Sequence, residues 1–100
     1  MPENPLNAIL KVDPELVKHM RSEESWAFAD GALSRKMKLL IAIAYDAAHG
    51  AVAGVRSLAQ DATKAGATKE EIGEALRVAY VLSGIGSVYV GSQGIAEILP

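Results

Sequence analysis

Residues Leu39 to Ile72 read LLIAIAYDAAHGAVAGVRSLAQDATKAGATKEEI, and the punctuation of this stretch decides the fold. The run up to Ala48 is apolar nearly all round at helical spacing, which places its helix in the middle of a structure. His49-Gly50-Ala51 forms an elbow. Beyond it Val52, Val55, Leu58, Ala59 and Ala62 trace one face of a second helix, and Arg56, Gln60, Asp61 and Lys64 mark its wet side. Gly66 reads as a left-handed stop, because glycine takes positive φ without steric cost. Thr68 with Glu71 three residues later is a capping box that starts a third helix.

Working outward, Ser34 caps the central helix. Upstream, Asp13-Pro14-Glu15 opens a helix that runs to about Phe28 and closes at Asp30-Gly31. Residues 1–12 are expected to be an irregular lead-in, with one helical turn around Leu6 to Leu10. Downstream, the Thr68 helix continues through Leu82, Ser83-Gly84-Ile85-Gly86 breaks it, and a last helix covers Ser87 to Leu99. With no strand pattern or repeat, residues 1–100 are expected to form a single all-α domain packed as a helical bundle.

Composition narrows the chemistry. Half the residues are hydrophobic but only 5% are aromatic, which favours close-packed helices and some apolar surface buried between subunits. The net charge of −2, with both signs interspersed, provides no basic stripe for a phosphate backbone, so nucleic acid is not an expected partner. The chain has no cysteine, which removes disulfides, thiolate nucleophiles and cysteine–zinc sites from its own repertoire. His19 and His49 are the only histidines, so no metal site is expected. Leu39 to Val55 and Val78 to Ala96 are mostly apolar, yet Asp46, His49 and several glycines and serines make them poor membrane spans. Without a secretory signal at MPENPLNAIL, the expected location is the cytoplasm.

The run from Ser34 to Leu99 resembles the carboxymuconolactone decarboxylase and alkylhydroperoxidase D-like family. Two blocks carry the resemblance: Lys36-x-Lys38-x-Leu40-Ile41-Ala42-Ile43-Ala44, and Ala65-Gly66-Ala67-Thr68-x-Glu70-Glu71-Ile72-x-Glu74-Ala75. Val78-Ala79-Tyr80 and Ser83-Gly84-Ile85-Gly86 follow in order. The resemblance implies an alkylhydroperoxidase D-like helical bundle, assembled as a homo-oligomer, a trimer or hexamer. The peroxidase-type pattern, Cys-x-x-Cys followed four residues later by His, falls here on Ala51, Gly54 and Leu58, and an assisting glutamate falls on Leu39. The lactone decarboxylase pattern also puts a histidine at Leu58. Thiol peroxidase activity is therefore not expected, and no cofactor is implied.

What remains at the elbow is Asp46 and His49, three residues apart and able to point to one side. Asp46 could orient an imidazole acting as general base, with Tyr45 or Tyr80 nearby. Equally, Asp46 could accept from free N–H groups of the next helix or pair with Arg56, while His49 simply finishes its helix. Three functions stay open: a cysteine-free family member of unassigned activity, a non-redox enzyme on a small organic acid using Asp46 and His49, and an oligomeric binding or scaffold module for a small apolar ligand. Arg35, Lys36 and Lys38 could recruit an anion or be solvated or paired with Glu23 and Glu24, and Trp26 and Phe28 could wall a ligand or anchor a core. Ser83, Ser87 and Gly91 recur every four residues, a small-residue face for a tight helix–helix contact, between subunits or within one.

Overall fold

Two helix ends set the chain's path. At the first, the Ala51 N–H donates to the Asp46 carbonyl at 2.9 Å and the Gly50 N–H reaches that of Ala47 at 3.5 Å, with Gly50 at φ +79. At the second, Ala67 bonds to the Ala62 carbonyl at 2.9 Å and Gly66 to that of Thr63 at 3.0 Å, with Gly66 at φ +96. Both are Schellman endings, in which a left-handed glycine lets the chain turn back on its own last carbonyls. They turn the chain so that the second and third of three consecutive helices both pack on the first.

The computed structural model describes residues 4–99. Its helices are α1 (Asn7–Val12), α2 (Pro14–Ala27), α3 (Arg35–Ala48), α4 (Val52–Lys64), α5 (Lys69–Ser83) and α6 (Gly86–Ile95), with a 3-10 turn at Ala96–Ile98. No strand occurs among the described residues, and the fold is an all-α bundle. The lead-in expected to be irregular lies partly outside the described residues, at 1–3; residues 7–12 are a six-residue helix rather than one turn. The last helix ends at Ile95, where the chain tightens into the 3-10 turn instead of running on to Leu99.

Helix α3 lies at the centre, packed on α4, α5 and α6. Leu39, Leu40, Ile43 and Ala47 from α3 meet Val55, Ala59 and Ala62 from α4 and Ile72 and Ala79 from α5 in one core. Each fully buried Leu, Ile or Val contributes about 1.5–3 kcal/mol. Helices α1 and α2 add nothing to this core: Val17 is buried apart from it, and only Phe28, the C-cap of α2, packs against its edge. The N-terminal hairpin is thus an outer layer on a four-helix body. No helix among the described residues is long and apolar enough to cross a membrane.

Every anticipated N-cap is present. Asp13 accepts from the Leu16 N–H at 3.0 Å and Ser34 from that of Met37 at 3.1 Å. Thr68 and Glu71 exchange both capping-box bonds, at 2.9 and 3.1 Å. Glu71 also holds the Lys36 ammonium at 2.9 Å, tying α5 to α3. Of the small-residue face, Ser87 and Gly91 pack within the chain, whereas Ser83 is exposed. Ser87, Gly91 and Gly94 of α6 are buried; a Cβ on Gly91 would lie 2.7 Å from Leu76, and one on Gly94 would lie 2.6 Å from Val55 Cβ.

Stability measurements test this packing. Gly94→Ala forces α6 away from Val55 and is expected to cost about 1–3 kcal/mol in urea unfolding. Gly73→Ala, where a Cβ meets nothing within 4 Å, is expected to gain roughly 0.4–1 kcal/mol.

The capping box gives a second test. Thr68→Ala is expected to cost about 1 kcal/mol. The Thr68 N–H, and after it the Lys36 side chain, hold the Glu71 carboxyl below the usual glutamate range. A depressed folded-state value stabilises the protein above the unfolded pKa of about 4.3 and loses that effect as pH falls through the folded value. Wild type should therefore exceed Glu71→Gln in stability at neutral pH, and the gap should close on acidification below about pH 4.3.

Candidate functional site

Beside the elbow, α2, α3 and α4 enclose a hollow of about 510 Å3. Its floor is Leu39 from α3 and Leu58 from α4, with Gly54 at the first turn of α4. Three of the four positions where the family pattern puts chemistry, Leu39, Gly54 and Leu58, therefore line one space. The fourth, Ala51, precedes α4 as its N-cap residue and makes no side-chain cap bond. The rim carries Arg21, Glu24 and Ser25 from α2, Arg35 from α3, and Ser57 and Asp61 from α4. A second hollow, about 450 Å3, adjoins it and shares Phe28, Asp46 and Leu58. It continues along Ala27, Ile41, Ala42 and Tyr45, with Lys38 at its edge.

Asp46 stands where the two hollows meet. Its carboxylate lies so close over Gly54 that a Cβ there would be 2.9 Å from Asp46 Cγ and would collide with Oδ2. Glycine at 54 is therefore what admits the carboxylate to the first turn of α4, where the positive end of the helix favours a negative charge. Neither structural role expected for Asp46 occurs among the described residues. Its side chain takes no hydrogen bond from the α4 N–H groups, and Arg56 pairs at 3.5 Å with Glu97.

His49 is placed differently. It is exposed, lines neither hollow, and its Nδ1 lies 2.8 Å from the Tyr45 carbonyl. A carbonyl only accepts, so Nδ1 carries the hydrogen and Nε2 is the free nitrogen. Its ring stacks on Tyr45 with centroids 4.1 Å apart. The chain thus does not bring the Asp46 and His49 side chains together. Tyr80 lines neither hollow either.

The basic residues at the start of α3 have partners other than Glu23 and Glu24. Lys36 pairs with Glu71, and Lys38 donates to the Ala29 carbonyl at 2.6 Å. The Arg35 N–H donates to Asp30 at 2.7 Å while its side chain lines the larger hollow. Among the described residues, Arg21, Glu24, Arg35, Asp46 and Asp61 form no ion pair within 4.0 Å. Phe28 is half-buried and walls both hollows, whereas Trp26 is 82% exposed.

The contribution of α2 was not expected from the elbow alone, although its signal is legible. Arg21, Glu24, Ser25 and Phe28 sit at i, i+3, i+4 and i+7, a single stripe of one helix. No group of three metal-binding side chains occurs among the described residues.

A third surface adjoins the second hollow along α3 and shares Ile41 and Tyr45 with it. Met37, Leu40, Ile41 and Ala44 face Ala75, Val78 and Leu82 of α5 across an apolar groove of about 590 Å3, with Glu71 and Glu74 also on its lining.

The chain is thus an all-α bundle with a hollow beside its elbow and no cysteine in its sequence. Residues 14–90 match the model of the carboxymuconolactone decarboxylase family, and the chain belongs to that family. The match takes in α2, which lies outside the two sequence blocks that carried the resemblance. A crystal structure of the apo form of lpg0406, a carboxymuconolactone decarboxylase family protein from Legionella pneumophila, superposes with a TM-score of 0.83 at 32% identity. The match covers 91% of this chain and 81% of that one. No curated protein sequence matches the chain.

Proposed function

We propose that this chain is a non-thiol member of its family whose elbow cleft binds a small organic molecule against Asp46, with that carboxylate as the proton acceptor or donor. One observation carries the reading: the Asp46 carboxylate fills the space over Gly54, the position of the second thiol in the peroxidase pattern, and has no protein partner there. A carboxylate free of partners in a hollow is available to a ligand in a way that a paired one is not. The cleft's size falls within the usual range for small-molecule sites, and Leu39, Leu58 and Phe28 supply its apolar surface. His49, with Nδ1 engaged by Tyr45, finishes α3 in this reading and leaves Asp46 as the acting group.

The test is a thermal-shift survey of small organic acids, alcohols, amines and lactones, with hits located by backbone amide shifts. Compounds that perturb Asp46, Gly54 and Leu58 are expected to raise the melting temperature. Asp46→Asn should weaken them about tenfold while the free protein melts as wild type does, and His49→Ala should leave binding unchanged. Hits confined to other surfaces, or indifference to Asp46→Asn, would overturn the reading.

We further infer that the chain works as a homo-oligomer, a trimer or hexamer, in the cytoplasm. The apolar α3–α5 groove and the exposed Val81, Leu82, Ile85 and Tyr89 support self-association. Light scattering should give the mass of an oligomer, and replacing Val81 and Leu82 together by Glu should lower it. A monomeric wild type would contradict the proposal.

A further inference from the structure

The two hollows flanking Asp46 differ in kind, and their difference specifies a ligand. The larger one carries both signs: the guanidiniums of Arg21 and Arg35 stand with the carboxylates of Glu24, Asp46 and Asp61. The adjoining one is apolar, walled by Phe28, Ile41, Ala42 and Tyr45. Its one cation, Lys38, is already engaged by the Ala29 carbonyl at 2.6 Å. Asp46 and Leu58 belong to both. A molecule lying across the junction would thus place an apolar body on one side of Asp46 and a polar head on the other.

We propose that this double cleft takes a zwitterion with an apolar body, as an α-amino acid with a large apolar side chain presents. A singly charged head pairs with groups of only one sign in this hollow, whereas a zwitterion pairs with both the guanidiniums and the carboxylates. The ligand carboxylate is a planar acceptor matched to the fork of a guanidinium, here Arg35 or Arg21. The ammonium is a compact triple donor matched to the Asp46 carboxylate, which no protein cation neutralises. The side chain then enters the hollow beside Phe28 and Ile41, where burial of apolar area favours it. This assignment rests on the reading of the elbow cleft as a small-molecule site and names its ligand class.

Three probes of one shape separate the possibilities: L-phenylalanine, 3-phenylpropionate without the ammonium, and phenethylamine without the carboxylate. Each is titrated near neutral pH into the full chain and followed by amide shifts and Trp26 fluorescence, Trp26 being the chain's only tryptophan. L-phenylalanine is expected to bind at least about tenfold more tightly than either relative, perturbing Phe28, Ala42, Asp46 and Leu58. Arg35→Met should weaken L-phenylalanine and leave phenethylamine unchanged. Asp46→Asn should weaken L-phenylalanine and phenethylamine but leave 3-phenylpropionate unchanged. Equal affinities for the three probes, or no shift of the cleft amides with any of them, would overturn the zwitterion assignment. The cleft as a small-molecule site stands or falls separately, on the broader survey of compounds.

Discussion

The hydrogen bond from the Ala51 N–H to the Asp46 carbonyl is the constraint on which the site depends. It closes α3 with Gly50 in the left-handed region and sends α4 back along α3. Because the bond uses the backbone of Asp46, it also fixes where that residue's side chain leaves the helix. The first turn of α4 arrives beside it, and Gly54 is the residue that meets the carboxylate. The same short segment therefore sets the angle between two core helices and places the one acidic group shared by both hollows.

Much of the fold is legible in local chemistry. Asp13, Ser34, Thr68 and Glu71 are where they are because free backbone N–H groups need acceptors, and each cap forms with the partner its spacing predicts. Gly66 and the all-round apolar character of α3 are equally direct, since a left-handed stop and a central helix leave few alternatives. What local pattern does not contain is long-range placement. The stripe at Arg21, Glu24, Ser25 and Phe28 is visible on α2, but only the position of α2 across the hollow from α3 and α4 makes it a wall. Ser87 and Gly91 signal a close helix contact without naming the partner, which proves to be within the same chain.

The candidate site was half legible. Helical spacing brings Asp46 and His49 to within one turn, and the hollow that Asp46 lines lies beside the elbow. Rotamers then separate them: His49 folds back onto the Tyr45 carbonyl and ring, while Asp46 extends over α4. The family's scaffold survives without the family's thiols. Leu39 and Leu58 convert two polar positions to apolar floor, and the charge of the cleft moves to α2, to Arg35 and to Asp46 itself.

The bare Cα of Gly54 has a consequence for substitution. A side chain at 54 and the Asp46 carboxylate compete for one volume, so a change at 54 is conditional on residue 46. A lone Gly54→Cys substitution would place its Cβ against the Asp46 carboxylate before any sulfur chemistry could begin. A thiol at position 54 requires the Asp46 carboxylate to swing aside or to be replaced. The constraint runs from 46 to 54: the acid limits what position 54 accepts, while a glycine at 54 leaves position 46 unrestricted.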